Sequence, residues 1–305
     1  MKSSYTPFHI GSITEQHRIL KLPKPLHPLV SVFRLEDSMH HAEELNQNFS
    51  LGFYCVSLKQ GFKGKFKYGY SYYDFEEGVL SFLSPNQILA NQSEEEYKVT
   101  GISLSFHPDF IRNYPLAKKI KEYGFFNYTA NEALHLSERE EQMIGKIFKA
   151  IETEYQSPID AFSQDVIIAN IDLLLTHANR YYNRQFITRK TLNHDLLTRI
   201  NQFIDEYYEQ NKALTQGLLT VEVLADAIHV SSGYLSDMLR SLVGQSAQQH
   251  IHNQLIEKSK LLLASTNLSV SEIAYQFGFE YPQSFNKLFR NKTNLSPLQY
   301  RQSFN

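Results

Sequence analysis

The sequence of 305 residues has a single cysteine, Cys55, which excludes an internal disulfide and any CxxC metal site. It has no apolar run of about eighteen residues, and its first residues lack an apolar core of signal-peptide length. We therefore expect a soluble, cytoplasmic protein with no membrane partner. An excess of basic charge is also missing, because the formal net charge is -2. A surface that binds nucleic acid would then have to be a local cluster of basic residues.

Residues from about Leu29 to His107 are rich in Phe, Tyr, Val and Ser, with turn residues at short intervals. Short apolar segments interrupted in this way are typical of strands in a small sandwich or barrel. The interruptions fall at Gly61, Gly64, Gly78, Pro85, Asn86 and Asn91. This part of the chain predicts a β-domain.

Helical periodicity replaces this pattern after Phe106. Ser137 and Glu140 have the spacing of a capping box, which predicts a helix that runs to Tyr155. Ser157-Pro158 predicts the start of the next helix, because proline at the first helical position loses no hydrogen bond. The segment from Ile159 to Tyr182 is so apolar that it packs either against another chain, as in a homodimer, or against the β-domain.

A repeated segment dominates the last third of the chain. Ala225, Ile228 and Val230 align with Ala274, Phe277 and Phe279 at an offset of 49 residues. The offset then becomes 50, which aligns Leu235, Leu239, Arg240, Gly244 and Ser246 with Phe285, Phe289, Arg290, Asn294 and Ser296. Two copies imply one supersecondary unit used twice.

The second copy has the pattern of a helix-turn-helix. Ser269 and Glu272 form a capping box, and Gly278 supplies the positive φ that ends the first helix. The second helix starts near Pro282 and buries Phe285, Leu288 and Phe289. Its other face carries Gln283, Ser284, Asn286, Lys287 and Arg290, which are side chains suited to the major groove.

The first copy is less regular, because His229 stands where the second has Gly278. Ser231 is predicted to cap its second helix, whose outer face shows Ser232, Gly233, Ser236, Asp237 and Arg240. Asp237 is expected either to accept from a cytosine amino group or to orient Arg240, and we favour the second reading.

A capped helix joins the two copies. Ser246 and Gln249 form its capping box, and from Ala247 to Ala264 it spans about 27 Å. The second helix of each copy would be its recognition helix, here called a reading helix, whose polar side is the reading face. A spacer of that length can hold the two reading helices about one DNA turn, roughly 34 Å, apart. Acids such as Asp205, Glu206 and Glu209 are expected to face away from DNA, whereas the last 25 residues carry only basic charges.

These residues resemble the DNA-binding domain of the arabinose-regulator (AraC/XylS) family. The match covers about 105 residues and rests on Leu224-Ala225, Tyr234-Leu235-Ser236, the segment SVSEIAYQFGF, Ser284-Phe285, Leu288-Phe289-Arg290 and SPLQYR. The resemblance implies a bacterial transcription regulator of α+β class. Its N-terminal part resembles the family's cupin-like β-barrel with dimerisation helices, and an all-α domain with two helix-turn-helix motifs follows. The predicted boundaries are 1–182 for the sensing and dimerisation domain, 183–195 for a linker and 196–305 for the DNA-binding domain.

Four residues depart from the family's pattern. Lys287 stands where many members have Arg, and Asp237 occupies a similar place in the first copy. Asn294 replaces the usual Gly, and Pro282 affects where the second reading helix begins.

A metal site and a redox site are disfavoured. His40 and His41 are expected on a surface loop, because the strand segments from Gly52 to Ser84 contain no histidine to complete a cupin metal site. Cys55 lies in an apolar strand and is expected to be a buried thiol. The aromatic group Tyr68, Tyr70, Tyr72, Tyr73 and Phe75 either packs within the barrel, which we favour, or lines an effector pocket.

We therefore expect a sequence-specific DNA-binding regulator that is not an enzyme and needs no cofactor or metal. Base contacts are predicted for Ser232, Ser236, Arg240, Gln283, Ser284, Asn286 and Lys287, and phosphate contacts for Arg290 and Lys292. The expected partner is double-stranded promoter DNA, with RNA polymerase, a small-molecule effector and a second copy as further candidates. The alternatives are a small cupin-type metal enzyme with a helical appendage, and a regulator controlled by a protein partner.

Overall fold

The structure, a computed structural model, describes residues 7–38, 48–60, 65–68, 71–74, 78–89, 100–129, 132–188 and 190–304. The chain divides into two compact units, residues 1–185 and 186–305. His40, His41, Tyr70 and Phe75 lie outside the described residues. Among the helices that are described, none is long and apolar enough to cross a membrane.

The first unit combines β-sheet with helices. Its strands are β1 Phe8–Ile10, β2 Val30–Arg34, β3 Phe49–Leu51, β4 Tyr54–Gln60, β5 Lys65–Tyr68, β6 Ser71–Asp74, β7 Val79–Leu83, β8 Ile88–Leu89, β9 Thr100–Phe106 and β10 Leu134–His135. Its helices are α1 Ile13–Ile19, α2 Pro108–Ile111, α3 Leu116–Lys119, α4 Glu138–Gln156 and α5 Ser163–Thr188, the last of which crosses the boundary between the units.

The strands form an open sheet. The main sheet has the order β10-β7-β4-β9-β2, all antiparallel, beside a three-stranded sheet β1-β3-β8 and the hairpin β5-β6. Within the part of the chain that the structure describes, no ladder joins β10 to β2. The expected cupin-like barrel is therefore not a closed one over these strands, because the two edges of the main sheet pair with nothing further.

The two faces of the main sheet differ in chemistry. The register partners Val56, Phe82 and Leu104 share one face, where the Phe82 ring lies 4.4 Å from that of Phe125. On the opposite face, Cys55 is 6% exposed and its Sγ lies 3.3 Å from Ser103 Oγ. The prediction of a buried thiol is confirmed.

An ion pair fixes α4 against this sheet. The Arg34 Nη2 of β2 and the Lys149 Nζ donate to Glu152 Oε2 at 3.1 and 2.9 Å. Burial by itself raises the pKa of Glu152, but the hydrogen bond from Lys149 and the charges of both cations outweigh it and lower that pKa. The capping box that opens α4 at Ser137 and Glu140 is present as predicted.

The predicted start of the helix after α4 is wrong. The helix after α4 begins at Ser163 and not at Ser157-Pro158, because Asp160 Oδ1 accepts from the Phe162 and Ser163 amides at 2.8 and 2.9 Å. The predicted linker 183–195 is not set apart as a loop, since α5 continues to Thr188 and α6 starts at Lys190. Phe186 anchors this segment: it is 2% exposed and packs edge-to-face on Tyr234 at 5.2 Å.

The second unit is helical throughout its described residues. After α5 come α6 Lys190–Glu209, α7 Lys212–Gln216, α8 Val221–Ile228, α9 Ser232–Val243, α10 Ala247–Ser265, α11 Val270–Gln276, α12 Pro282–Thr293 and α13 Pro297–Gln302. The repeat appears as two helix pairs, α8–α9 (pair one) and α11–α12 (pair two). The second helices, α9 and α12, each have 12 residues, as the 50-residue offset requires.

In pair two, residue 278 must be glycine for two reasons, a positive φ and a close backbone contact. Its φ is +84°, and a Cβ there would lie 2.5 Å from the Gly217 carbonyl carbon. Gly244, which ends α9, has a φ of +71° with nothing within 4 Å of the Cβ position.

These two glycines give a matched test of backbone strain. Gly244→Ala should lower the free energy of unfolding by about 1 kcal/mol, from the left-handed φ alone. Gly278→Ala should lower it by about 3 kcal/mol or more, because the added carbon also strikes backbone. Urea unfolding of the full chain measures both; equal losses would contradict the close packing of Gly278.

Candidate nucleic-acid interface

The turn of pair one is built by a left-handed residue and a cap. Thr220 Oγ1 accepts from the Val223 amide and starts α8. His229 ends α8 with φ +62°, so that the Val230 amide donates back to Ala225 O at 3.0 Å. Ser231 Oγ then accepts from the Tyr234 amide at 3.1 Å and starts α9. The predicted cap at Ser231 is confirmed, and His229 has its positive φ at the position that Gly278 occupies in the second copy.

The turn of pair two repeats this geometry with different residues. The capping box Ser269–Glu272 opens α11, and Gly278 is left-handed. The Phe279 amide donates to Ala274 O at 3.0 Å, the same six-residue bond as in pair one. Glu280 is the inserted residue, and Pro282 occupies the first turn of α12 as predicted.

Each pair closes over a small apolar core. In pair one, Leu224, Ala225 and Ile228 are buried together with Leu235, Met238 and Leu239 of α9. In pair two, Phe285 lies 5.6 Å from Phe279 and 5.8 Å from Phe289, measured between ring centroids. Both second helices therefore turn their apolar side inward, and the opposite side is left for solvent.

Helices α6 and α10 hold the pairs in place. The spacer α10 contacts α8, α9, α11, α12 and α13. Its His250 Nε2 lies 2.9 Å from Asn201 Oδ1 of α6, and Lys258 pairs with Asp205 at 2.7 Å. From α6, Arg199 Nη2 donates to Ile228 O at 3.4 Å, and Tyr208 packs edge-to-face on Phe277 at 5.1 Å. One pair of crossing helices thus supports both turns.

The predicted base-contacting residues lie at the surface. Those exposed are Ser232, Arg240, Gln283, Ser284, Asn286 and Lys287, and Ser236 is partly exposed. The predicted phosphate contacts Arg290 and Lys292 are exposed as well. No polar face of a second helix is sealed inside its unit.

A cleft of about 520 Å³ gathers part of this set in pair two. It brings together Asn286, Lys287 and Arg290. Its remaining lining residues, which the sequence analysis did not select, are Val270, Asn291, Ser296, Pro297 and Leu298. Two sequence signals could have found them: Asn291 lies one turn after Lys287, and Ser296 with Gln299 forms a capping box that opens α13.

Lys292 is placed apart from the other cations of α12. Successive helical residues are about 100° apart around the axis, which puts Lys292 nearly opposite Gln283. Its charge acts instead on His252 of α10, whose pKa is lowered by burial and also by Lys292. The structure therefore brings Arg290 and Lys287 together but not Lys292.

The charge of the two pairs is unequal. Pair one, residues 221–243, has three acids and one cation: Glu222, Asp226, Asp237 and Arg240. Pair two, residues 270–293, has two acids and three cations: Glu272, Glu280, Lys287, Arg290 and Lys292. Within pair one, Arg240 Nη1 donates to Asp237 Oδ1 at 2.6 Å, the contact that the favoured reading of Asp237 requires.

Comparisons with known proteins agree on this unit. Residues 224–303 match a helix-turn-helix domain family. The HTH-type transcriptional regulator YfiF of Bacillus subtilis is 28% identical over 165 residues, 52% of this chain and 49% of YfiF. The C-terminal domain of the response regulator yesN from Fusobacterium nucleatum is 34% identical over 35% of this chain and 98% of that domain, with a TM-score of 0.31. Residues 224–303 are thus an AraC-type helix-turn-helix domain.

The chain is also similar to the HTH-type transcriptional regulator YijO of Escherichia coli, at 26% identity over 170 residues and 56% of each chain. It spans about half the length of these two regulators. A cluster of three or more His, Cys, Asp or Glu side chains close enough for a metal ion does not occur among the residues with described positions.

The His250–Asn201 contact predicts acid sensitivity of the second unit. Burial lowers the pKa of His250, so its stabilising contribution is present above the unfolded value near 6.5 and is lost as pH falls below it. We expect Asn201→Asp, which puts a carboxylate opposite the imidazole, to raise that pKa and reduce the loss of unfolding free energy between about pH 7 and 5.

Urea unfolding at a series of pH values measures this effect. His250→Gln, which keeps a donor but does not titrate, should also flatten the profile. Identical pH profiles for the wild type and both variants would contradict a role for His250.

Proposed function

We propose that this chain is a sequence-specific DNA-binding transcription regulator that reads two successive major grooves with two helix-turn-helix motifs. The observation that carries this proposal is the repeated turn: both pairs use the same backbone hydrogen bond, and both present an exposed polar helix face. An α-helix fits the major groove of B-DNA, where base edges can be distinguished by their hydrogen-bonding groups.

In pair two, we assign base contacts to Gln283, Ser284, Asn286 and Lys287. The amides of Gln283 and Asn286 suit adenine, and Lys287 suits guanine. In pair one the corresponding groups are Ser232, Ser236 and Arg240. All lie on the exposed faces described above, and short side chains allow close approach of the helix to the bases.

Arg290 is assigned to phosphate, because it lines the cleft beside Lys287, about one turn nearer to the C-terminus of α12. Lys292 stands on the far side of α12, so its contribution to phosphate binding should be the smaller one. The two predicted phosphate residues thus lie on different sides of α12. Lys292→Ala can therefore serve as a control that removes the same charge as Lys287→Ala.

A double substitution tests the DNA assignment. Asn286→Ala with Lys287→Ala should weaken specific binding to promoter fragments by about tenfold or more, because two base contacts are lost. Lys292→Ala removes the same charge and should weaken binding much less. Gel-shift titration at one fixed salt concentration measures both; unchanged specific affinity of the double variant would count against the proposal.

For the first unit, we propose sensing and dimerisation. A cupin-like arrangement is supported by two sheets that share an apolar cluster of Ile10, Ile13, Leu51, Phe53 and Cys55. Such a sandwich is a suitable host for a small-molecule effector. On this proposal the second unit binds bacterial promoter DNA, and effector binding and dimerisation of the first unit control that binding.

A second copy is the partner proposed for α5. Phe162, Val166 and Leu173 are 68, 40 and 46% exposed, and with the exposed Ala169 they follow the 4-3-4 spacing of a helix–helix seam. The buried residues of α5 lie on the other side, so this stripe is not used inside the first unit.

Light scattering at micromolar concentration tests this assembly. The wild type should give the mass of a dimer, and Leu173→Asp should give a monomer that still unfolds cooperatively, because a carboxylate is costly in an apolar seam. Asn179→Asp, an exposed site off the stripe, should remain a dimer. A monomeric wild type would refute the proposal.

A further inference from the structure

Asp237 is the residue on which the two reading helices differ most. At the 50-residue offset, Arg240 corresponds to Arg290, but Asp237 corresponds to Lys287. The same place on the outer face of the helix thus carries opposite charge in the two pairs. A carboxylate near DNA repels phosphate, so its presence on a reading face calls for a compensating role.

The geometry shows what the carboxylate does in the free protein. Asp237 Oδ1 accepts from Arg240 Nη1 at 2.6 Å across one turn of α9. The Arg240 side chain remains 59% exposed, whereas that of Asp237 is 28% exposed. The guanidinium is therefore fixed through Nη1, and most of the Arg240 side chain stays open to solvent. An exposed ion pair of this kind adds little to folding stability, which leaves orientation as its main effect.

Orientation matters because arginine has two kinds of target on DNA. A freely moving guanidinium binds phosphates, which carry no sequence information. A guanidinium with its fork fixed toward the groove floor can bind O6 and N7 of guanine together. A neighbouring carboxylate favours the second outcome, since it repels the phosphates and restricts the rotamers of the arginine.

We propose that Asp237 is a specificity-determining residue, which holds Arg240 for a guanine edge and keeps it from the phosphates. This proposal rests on the proposed function, because it assigns selectivity to one of its two reading helices. Asp237 acts through Arg240 and is a positioning residue. Pair two has no counterpart, since Lys287 and Arg290 are both cationic.

Selection from a random duplex library, followed by sequencing, tests the proposal on the full chain. The wild type should enrich a motif, and Arg240→Ala should lose the guanine preference at one position of it. Asp237→Asn should reduce the preference at that same position by about tenfold, while its affinity for random duplex rises about threefold. Arg240→Lys should keep the affinity for random duplex and lose the guanine preference.

Asp226→Asn is the matched control, because it removes an exposed acid from the same pair away from the reading face. It should leave the base preference intact. An enriched motif that is unchanged in Asp237→Asn, or altered at a position unrelated to Arg240, would overturn this proposal alone. A wild type that enriches no motif would overturn the proposed function, and this proposal with it. Melting temperatures equal to that of the wild type confirm that the variants are folded.

Discussion

The second unit depends on one backbone hydrogen bond that occurs twice, from Val230 to Ala225 O and from Phe279 to Ala274 O. This bond closes the C-terminus of the first helix and reverses the chain within two residues. It requires a left-handed residue, which is His229 in one pair and Gly278 in the other. Because the chain leaves each turn in a fixed direction, the second helix packs its apolar side inward, where Ala225 and Ala274 of the first helices are also buried, and turns its polar face outward.

Local signals of this kind could be predicted from the sequence. Capping residues, Gly278, and the terminators Gly244 and Asn294 act on groups within six residues, so their effect does not depend on the rest of the fold. The constant offset of 50 residues from Leu235 to Ser246 agrees with second helices of equal length, 12 residues each. The exposed set from Gln283 to Arg290 followed from helical periodicity and from the buried partners Phe285 and Phe289.

Features set by distant contacts could not be predicted in the same way. Phe186, in the polar segment 183–195 that is predicted as a linker, packs on Tyr234, 48 residues later in the chain. Helix α5 starts at Ser163 because the Asp160 side chain accepts from the Ser163 amide. The Ser157-Pro158 pattern predicted an earlier start because it does not include this side-chain bond. The composition and the spacing of turn residues predicted strands in the first unit. They did not predict whether the sheet would close into a barrel, since pairing across a sheet is a long-range property.

The charge of the whole chain says little about a partner that meets one surface. At physiological salt, charges more than about 8 Å apart are largely screened, so DNA responds to the groups that it touches. Two acids of α6 are engaged elsewhere: Asp205 and Glu209 pair with Lys258 of α10 at 2.7 and 3.6 Å. The cations of α12 have no acid along their own segment to balance them. A net charge of -2 is therefore compatible with a locally cationic reading surface, because the folded arrangement of α6, α10 and α12 separates the two signs.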